Sequence, residues 1–163
     1  MQTLDAIRTK RAVRHFTDQP VPDSIIRDIL NAGRRAQSSK NDQPWRFVVV
    51  RDRETLKQLA TCGKYAGHLA GAAFAVAIVS SVDWAFDVGQ AAAYIQLAAW
   101  DLGVSSCIAS MWESERAKAI LGVPADRFFE IAISFGYAAE EPAPQPKTSG
   151  RRTFDDVVRW EHW

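Results

Sequence analysis

The chain is poor in the residues that usually announce a function. Its two cysteines, Cys62 and Cys107, lie far apart, with no CxxC spacing and no paired histidines beside them. That pattern excludes a disulfide framework and a thiolate zinc site, and leaves two reduced, partly buried thiols as the expectation. Neither sign of charge is in excess: twenty basic residues face nineteen acidic ones, a net charge of +1. Such a balance gives no global support to a surface built for duplex DNA or an anionic membrane. The longest apolar run, Ala72 to Val79, is too short to span a bilayer. Charges interrupt every apolar run in residues 1–16, which therefore do not read as a signal peptide, and a cytoplasmic location is expected. There is no GxGxxG after a strand, no Walker-type loop, no HExxH and no GxSxG. His15, His68 and His162 are scattered without local partners and read as surface or packing histidines. Chemistry by a side-chain nucleophile is poorly supported.

What is present fits one soluble domain over residues 1–163: 47% hydrophobic and 24% charged residues are ordinary globular proportions. Leu4, Ile7 and Ala12 fall at helical spacing across a first segment from Thr3 to Arg11. Pro22-Asp23-Ser24 announces a second helix, with Ile25, Ile26, Ile29, Leu30 and Ala32 as its apolar stripe. Arg34 to Pro44 is polar and reads as loop, before a buried strand at Phe47–Val50. Asp52 caps a short helix carrying Leu56 and Leu59, and Phe74 to Ser80 forms a second buried strand. Val88 to Leu102 is alanine-rich and apolar nearly all round, which predicts a central helix stopped by Gly103. A third strand at Val104–Ala109, a helix from Ser114 to Leu121 and a fourth strand at Phe129–Phe135 follow. Beyond Gly136 the prolines of 140–150 predict an extended arm, and Phe154 to Trp163 a last amphipathic helix. The order of elements predicts an α+β fold with a mixed sheet flanked by helices.

Two basic clusters stand out. Lys10, Arg11 and Arg14 gather at a helix end, where cations also complement the dipole, and Arg151-Arg152 follow the proline-rich stretch. A phosphate dianion prefers several converging guanidinium or ammonium donors, so two remote clusters could meet on one. The GxxxGxxxG spacing of Gly63, Gly67 and Gly71 reads as a flexible loop. Of six tryptophans, Trp45, Trp160 and Trp163 read as packing or dimer-contact residues, while Trp84 and Trp112, with Phe86, suit either a substrate surface or the core.

Residues 36–50 read Ala-Gln-Ser-Ser-Lys-Asn-Asp-Gln-Pro-Trp-Arg-Phe-Val-Val-Val. This resembles the Ser-Ser-x-Asn-x-Gln-Pro-Trp signature of the FMN-dependent nitroreductase family. The stretch Lys10-Arg11-Ala12-Val13-Arg14-His15-Phe16 is similar to that family's basic opening. Asp87-Val88-Gly89 through Leu97-Ala98-Ala99, Leu102-Gly103-Val104-Ser105-Ser106-Cys107, Ile133 to Tyr137 and Arg151-Arg152-Thr153-Phe154 resemble its later segments in the right order.

The resemblance implies an intertwined homodimer with two FMN sites, each built from both subunits, the arm of 138–163 wrapping the partner. It implies that Lys10, Arg11 and Arg151 surround the FMN phosphate, and that Arg14 sits by the pyrimidine edge of the isoalloxazine. Ser38, Ser39 and Asn41 would come from the partner, and the backbone of Ser110 and Met111 would meet flavin N5. Ala12 stands where the family has a phosphate-binding serine, Gln37 replaces a loop proline, and Lys64 lies where larger members place flavin ligands. Ser81 to Phe86 leaves little room for a covering excursion. The implied activity is electron transfer from NADH or NADPH to a nitroaromatic, quinone or enone by a ping-pong route, without a side-chain base. A non-catalytic flavin-binding or storage protein is the alternative. A nucleic-acid or phosphoprotein contact through the basic clusters is a third reading, opposed by the balanced charge.

Overall fold

Strand β2 (Phe74–Ser80) shows how the molecule is organised, because every one of its residues is buried. Its even-numbered side chains Phe74, Val76 and Ile78 join one apolar cluster, and its odd-numbered Ala75, Ala77 and Val79 join another. Alternate residues of a strand point to opposite faces, so a strand apolar throughout requires cover on both sides. The computed structural model, which describes residues 2–83, 85–140 and 150–163, supplies that cover. Helices α2 (Asp23–Gly33) and α4 (Ala85–Asp101) pack on the even face. Helices α3 (Arg53–Ala60) and α5 (Ser114–Leu121), with a 3-10 turn at Gly67–Gly71, pack on the odd face. At the α2–α4 crossing Gly33 lies against Ile95, and a Cβ there would drive into that side chain.

The sheet has four strands in the order β1 (Trp45–Val50), β2, β4 (Phe128–Gly136), β3 (Ser105–Ser110). All three pairings are antiparallel. The mixed character expected from the sequence reduces to a single parallel bridge, Ala12 to Ser106, which docks the N-terminal segment on the free edge of β3. The β2–β4 register shifts after Ile78, leaving Glu130 as an extra residue in β4.

Helix ends follow local chemistry. Asp52 accepts from the Thr55 amide at 2.8 Å, and that bond holds its carboxyl below the usual range. Gly103 and Gly122 end α4 and α5 with φ of 75° and 65°, the left-handed region that glycine enters freely. Three expectations need correction. Helix α1 (Thr3–Thr9) stops before Arg11, and its Leu4 and Ile7 are exposed. Helix α4 is buried on one side only: Phe86, Gly89, Ala93 and Tyr94 face outward. The last helix, α6, covers only Phe154–Val157, and Trp160 and Trp163 beyond it are exposed in the single chain, so they do not pack in its own core. Trp84 and the prolines of 141–149 lie outside the described residues. Trp45 is buried, as expected of a packing residue. Among the described residues no helix is long and apolar enough to cross a membrane, and no His, Cys, Asp and Glu group could hold a metal ion.

Candidate functional site

The chemistry-bearing residues gather along the outer edge of β3. In an antiparallel ladder the N–H and C=O groups of successive residues point alternately toward the neighbour and away from it. The Met111 N–H donates to the Glu130 carbonyl at 2.7 Å, so the odd-numbered residues of this strand face β4. Ser106, Ile108 and Ser110 therefore turn their backbone groups to the free edge. The Ser106 carbonyl confirms this by accepting from the Val13 N–H at 3.1 Å. Of the two residues singled out by the sequence, Met111 has its N–H engaged, and Ser110 has its N–H on the open edge.

Lys10 and Arg14 flank that edge. Lys10 is half-buried, and desolvation lowers its pKa, partly offset by the nearby Cys107 thiol. Burial pushes the Cys107 thiol up, while Arg14 and Lys10 pull it back, which places both cations around one β3 residue. Arg11 is turned the other way: its guanidinium donates to the carbonyls of Arg8 at 2.8 Å and Lys10 at 3.0 Å, closing the end of α1. Ala12 holds the segment to β3 through its backbone bridge, and its methyl offers a ligand no hydrogen bond.

The segment 62–68 closes the other end of the same edge. Gly63 abuts the Ser110 carbonyl so closely that a Cβ would collide with it, and the Cys62 carbonyl accepts from the Glu113 amide at 3.0 Å. This corrects the expectation of a free glycine loop, although Gly67 and Gly71 do face open space. Lys64 is thereby brought beside the end of β3, its ammonium 5.5 Å from the Tyr65 ring and 5.9 Å from the Trp112 ring. Tyr65 and Trp112 meet edge to face and are both exposed.

His68 is the residue that sequence reading missed. It is 9% exposed and lines an open cavity of about 730 Å³ together with Arg14, His15, Phe16, Tyr65 and Glu140. Its Nδ1 lies 2.7 Å from Ser134 Oγ, which itself donates to the Cys107 carbonyl at 3.2 Å. With the Ser134 proton assigned to that carbonyl, Nδ1–H is the donor to Ser134 and Nε2 is a bare acceptor. Nε2 is buried and makes no hydrogen bond to the described residues. Burial, then the Arg14 charge, push the imidazole below its ordinary value, against a smaller opposing influence of the Ile108 backbone.

Ser38, Ser39 and Asn41 are elsewhere. They form a 3-10 turn just before β1, at the opposite edge of the sheet from β3. Three inter-strand spacings, about 14 Å, separate the two edges. A single chain therefore keeps this loop apart from Lys10 and Arg14. Arg151 and Arg152 are exposed, just ahead of the Thr153–Asp156 capping box of α6.

A profile of the Nitroreductase family matches residues 7–64 and 61–137, taking in the cation segment, the Ser-Ser-Lys-Asn loop and the β3 edge. The chain belongs to the nitroreductase family. A putative NADH dehydrogenase/NAD(P)H nitroreductase of Archaeoglobus fulgidus is 33% identical over 152 residues, 86% of this chain and 87% of the relative. A protein of the same description from Methanothermobacter thermautotrophicus is 30% identical over 175 residues, covering 100% of this chain and 88% of its own. Among solved structures, an FMN-dependent nitroreductase from Clostridium difficile superposes with a TM-score of 0.89 at 28% identity, covering 98% of this chain and 99% of that one. The α+β architecture is thus that of the nitroreductases, and the protein is an oxidoreductase of the nitroreductase type.

Proposed function

We propose that this nitroreductase-family protein holds FMN at a site shared by two copies of the chain. It takes electrons from NADH or NADPH and delivers them to an electron-poor acceptor such as a nitroaromatic, a quinone or an enone. The observation that carries this reading is the set of cations, Lys10 and Arg14, beside an open strand edge that presents the Ser110 N–H. The residues present fit the cofactor: His68, which lines the Arg14 cavity, keeps a buried ring nitrogen, Nε2, without a partner among the described residues, and Gly63 keeps the end of the edge clear of a side chain.

When bound, FMN supplies the two-electron redox chemistry, for which this chain has no side-chain equivalent. Lys10 and Arg151 would bind the phosphate, with Arg11 joining once its guanidinium leaves the α1 carbonyls. Arg14 would lie at the pyrimidine edge, where a fixed cation offsets negative charge gained on reduction. The Ser110 N–H would orient the ring at N5, and Lys64 with its aromatic pair would stand beside it. Ser38, Ser39 and Asn41 would be supplied by the second copy, and the arm of 138–163 would wrap that copy. Nothing in this arrangement requires a side-chain base or a dedicated nucleotide domain. One open face can serve donor and acceptor in turn, which is a ping-pong order.

The visible spectrum of purified protein, recorded without oxygen before and after adding NADH or NADPH, tests the assignment. A bound-flavin spectrum that bleaches is expected. A flavin spectrum that persists would support the storage reading, and protein that stays colourless after FMN reconstitution would refute both. With donor and acceptor both varied, double-reciprocal plots should be parallel, and intersecting lines would refute the ping-pong order.

A further inference from the structure

The loop ahead of β1 has an uncommon backbone. Lys40, Asn41 and Gln43 take φ of 51°, 59° and 48°, a region that residues other than glycine rarely enter. Side chains crowd the backbone there, so hydrogen bonds must hold the loop in shape. Several bonds are internal: the Gln43 N–H donates to Ser38 Oγ at 2.9 Å, Gln43 Nε2 to the Asn41 carbonyl at 3.3 Å, and the Asn41 and Asp42 N–H groups to the Ser38 and Ser39 carbonyls. Another reaches across 48 positions: the Ser39 N–H donates to Asp87 Oδ2 at 3.1 Å.

Asp87 is 3% exposed and lies in the first turn of α4. Burying a carboxylate is costly unless its charge is met, and the helix N-terminus meets part of it. Its hydrogen bond to the Ser39 amide fixes the turn at the point where the loop leaves Ser38 and enters the left-handed residues. We infer that Asp87 is a positioning residue acting in trans: through the Ser39 backbone it holds the Ser38–Asn41 loop in the shape that completes the other subunit's flavin site. This rests on the shared-site reading above. The topology gives it direction, because the loop and the Lys10–Arg14 cations of one chain lie at opposite sheet edges. A lesion at Asp87 thus disturbs the site whose cations belong to the partner.

Fluorescence titration of the apoprotein with FMN gives the first measurement. Asp87→Ala should weaken binding about tenfold or more, as expected for a lost hydrogen bond to a charged group. Asp87→Asn keeps an acceptor oxygen for the Ser39 amide and should stay close to wild type. Arg14→Ala should also weaken binding, from the other side of the site. Co-expression of differently tagged Asp87→Ala and Arg14→Ala chains then separates positioning in trans from a general loss of folding. In the mixed dimer one site carries both lesions and the other carries none, so about half of wild-type flavin should be retained. Mixed dimers that bind no better than either parent would overturn the trans assignment, and an Asp87→Ala protein that binds FMN like wild type would overturn the positioning role. If wild type itself binds no FMN, the shared-site reading fails instead. Amide exchange in residues 38–44 of the flavin-free protein then decides the loop-holding role of Asp87. Faster exchange in Asp87→Ala, restored in Asp87→Asn, supports that role, and unchanged exchange refutes it.

Discussion

Held neutral by burial and by the Arg14 charge, His68 binds a proton less readily in the folded chain than in the unfolded one. Between its lowered folded value and the ordinary 6.5, the unfolded chain therefore carries more protons. Stability rises with pH through that window and is lost as pH falls through it. The charged and titratable groups around the ring are Arg14, His15, Tyr65 and Glu140 along the cavity, and Cys107 behind Ser134. Urea-unfolding midpoints of the wild type should drop from about pH 7 to about pH 5, and less so in His68→Asn, whose amide can keep the bond to Ser134. An equally steep loss in the variant would remove His68 as the cause. Nothing near His68 in sequence hints at this, because its hydrogen-bond partner is 66 positions away. The cations were legible for the opposite reason: Lys10, Arg11 and Arg14 form one short cluster, whose pairing with β3 merely aims it. Even there the direction of Arg11 was not legible, since the carbonyls that it caps become available only once α1 ends at Thr9.

Elements whose ends rest on local chemistry could be read directly. Asp52, Gly103 and Gly122 mark boundaries through a side-chain cap or a left-handed φ, and both effects act within a few residues. The last helix was overextended because its aromatic stripe implied a packing partner that one chain does not supply. Four residues of α6 are what the Thr153 capping box holds alone. The Gly63 contact was likewise invisible, since glycine spacing does not reveal which backbone will come near. Its consequence is measurable. Gly63→Ala should press a methyl group into the Ser110 carbonyl and displace either the 62–68 segment or the end of β3. The expected destabilisation is about 1–3 kcal/mol by chemical denaturation, with Gly67→Ala, in open space, as a near-neutral control. Equal effects at the two glycines would mean that the close approach to β3 is not what Gly63 provides.

At the scale of the whole molecule, the sequence showed α4 as apolar all round, and the fold buries only half of it. Phe86 is 69% and Tyr94 40% exposed, with Gly89 and Ala93 between them on the same side, and α1 adds the bare side chains of Leu4 and Ile7. Contiguous exposed apolar surface of this kind marks a site for a covering partner. The sheet order supplies the second reason, because it sends the Ser38–Asn41 loop to one edge and the cations to the other. Neither point follows from periodicity, which fixes what a helix buries but not whether its own chain or another covers it. In the two-copy arrangement proposed above, a second copy laid on α4 would cover this surface and could bring its own Ser38–Asn41 loop to the cations. Ala93→Arg tests this directly, since Ala93 belongs to neither the cation cluster nor the loop, and its exposed position can accept a long side chain without disturbing the core. Sedimentation should show the variant as a monomer, and its flavin content should fall with the loss of dimer. A monomer that still retains FMN like wild type would show that one chain suffices for the site, and the two-subunit arrangement would then be wrong.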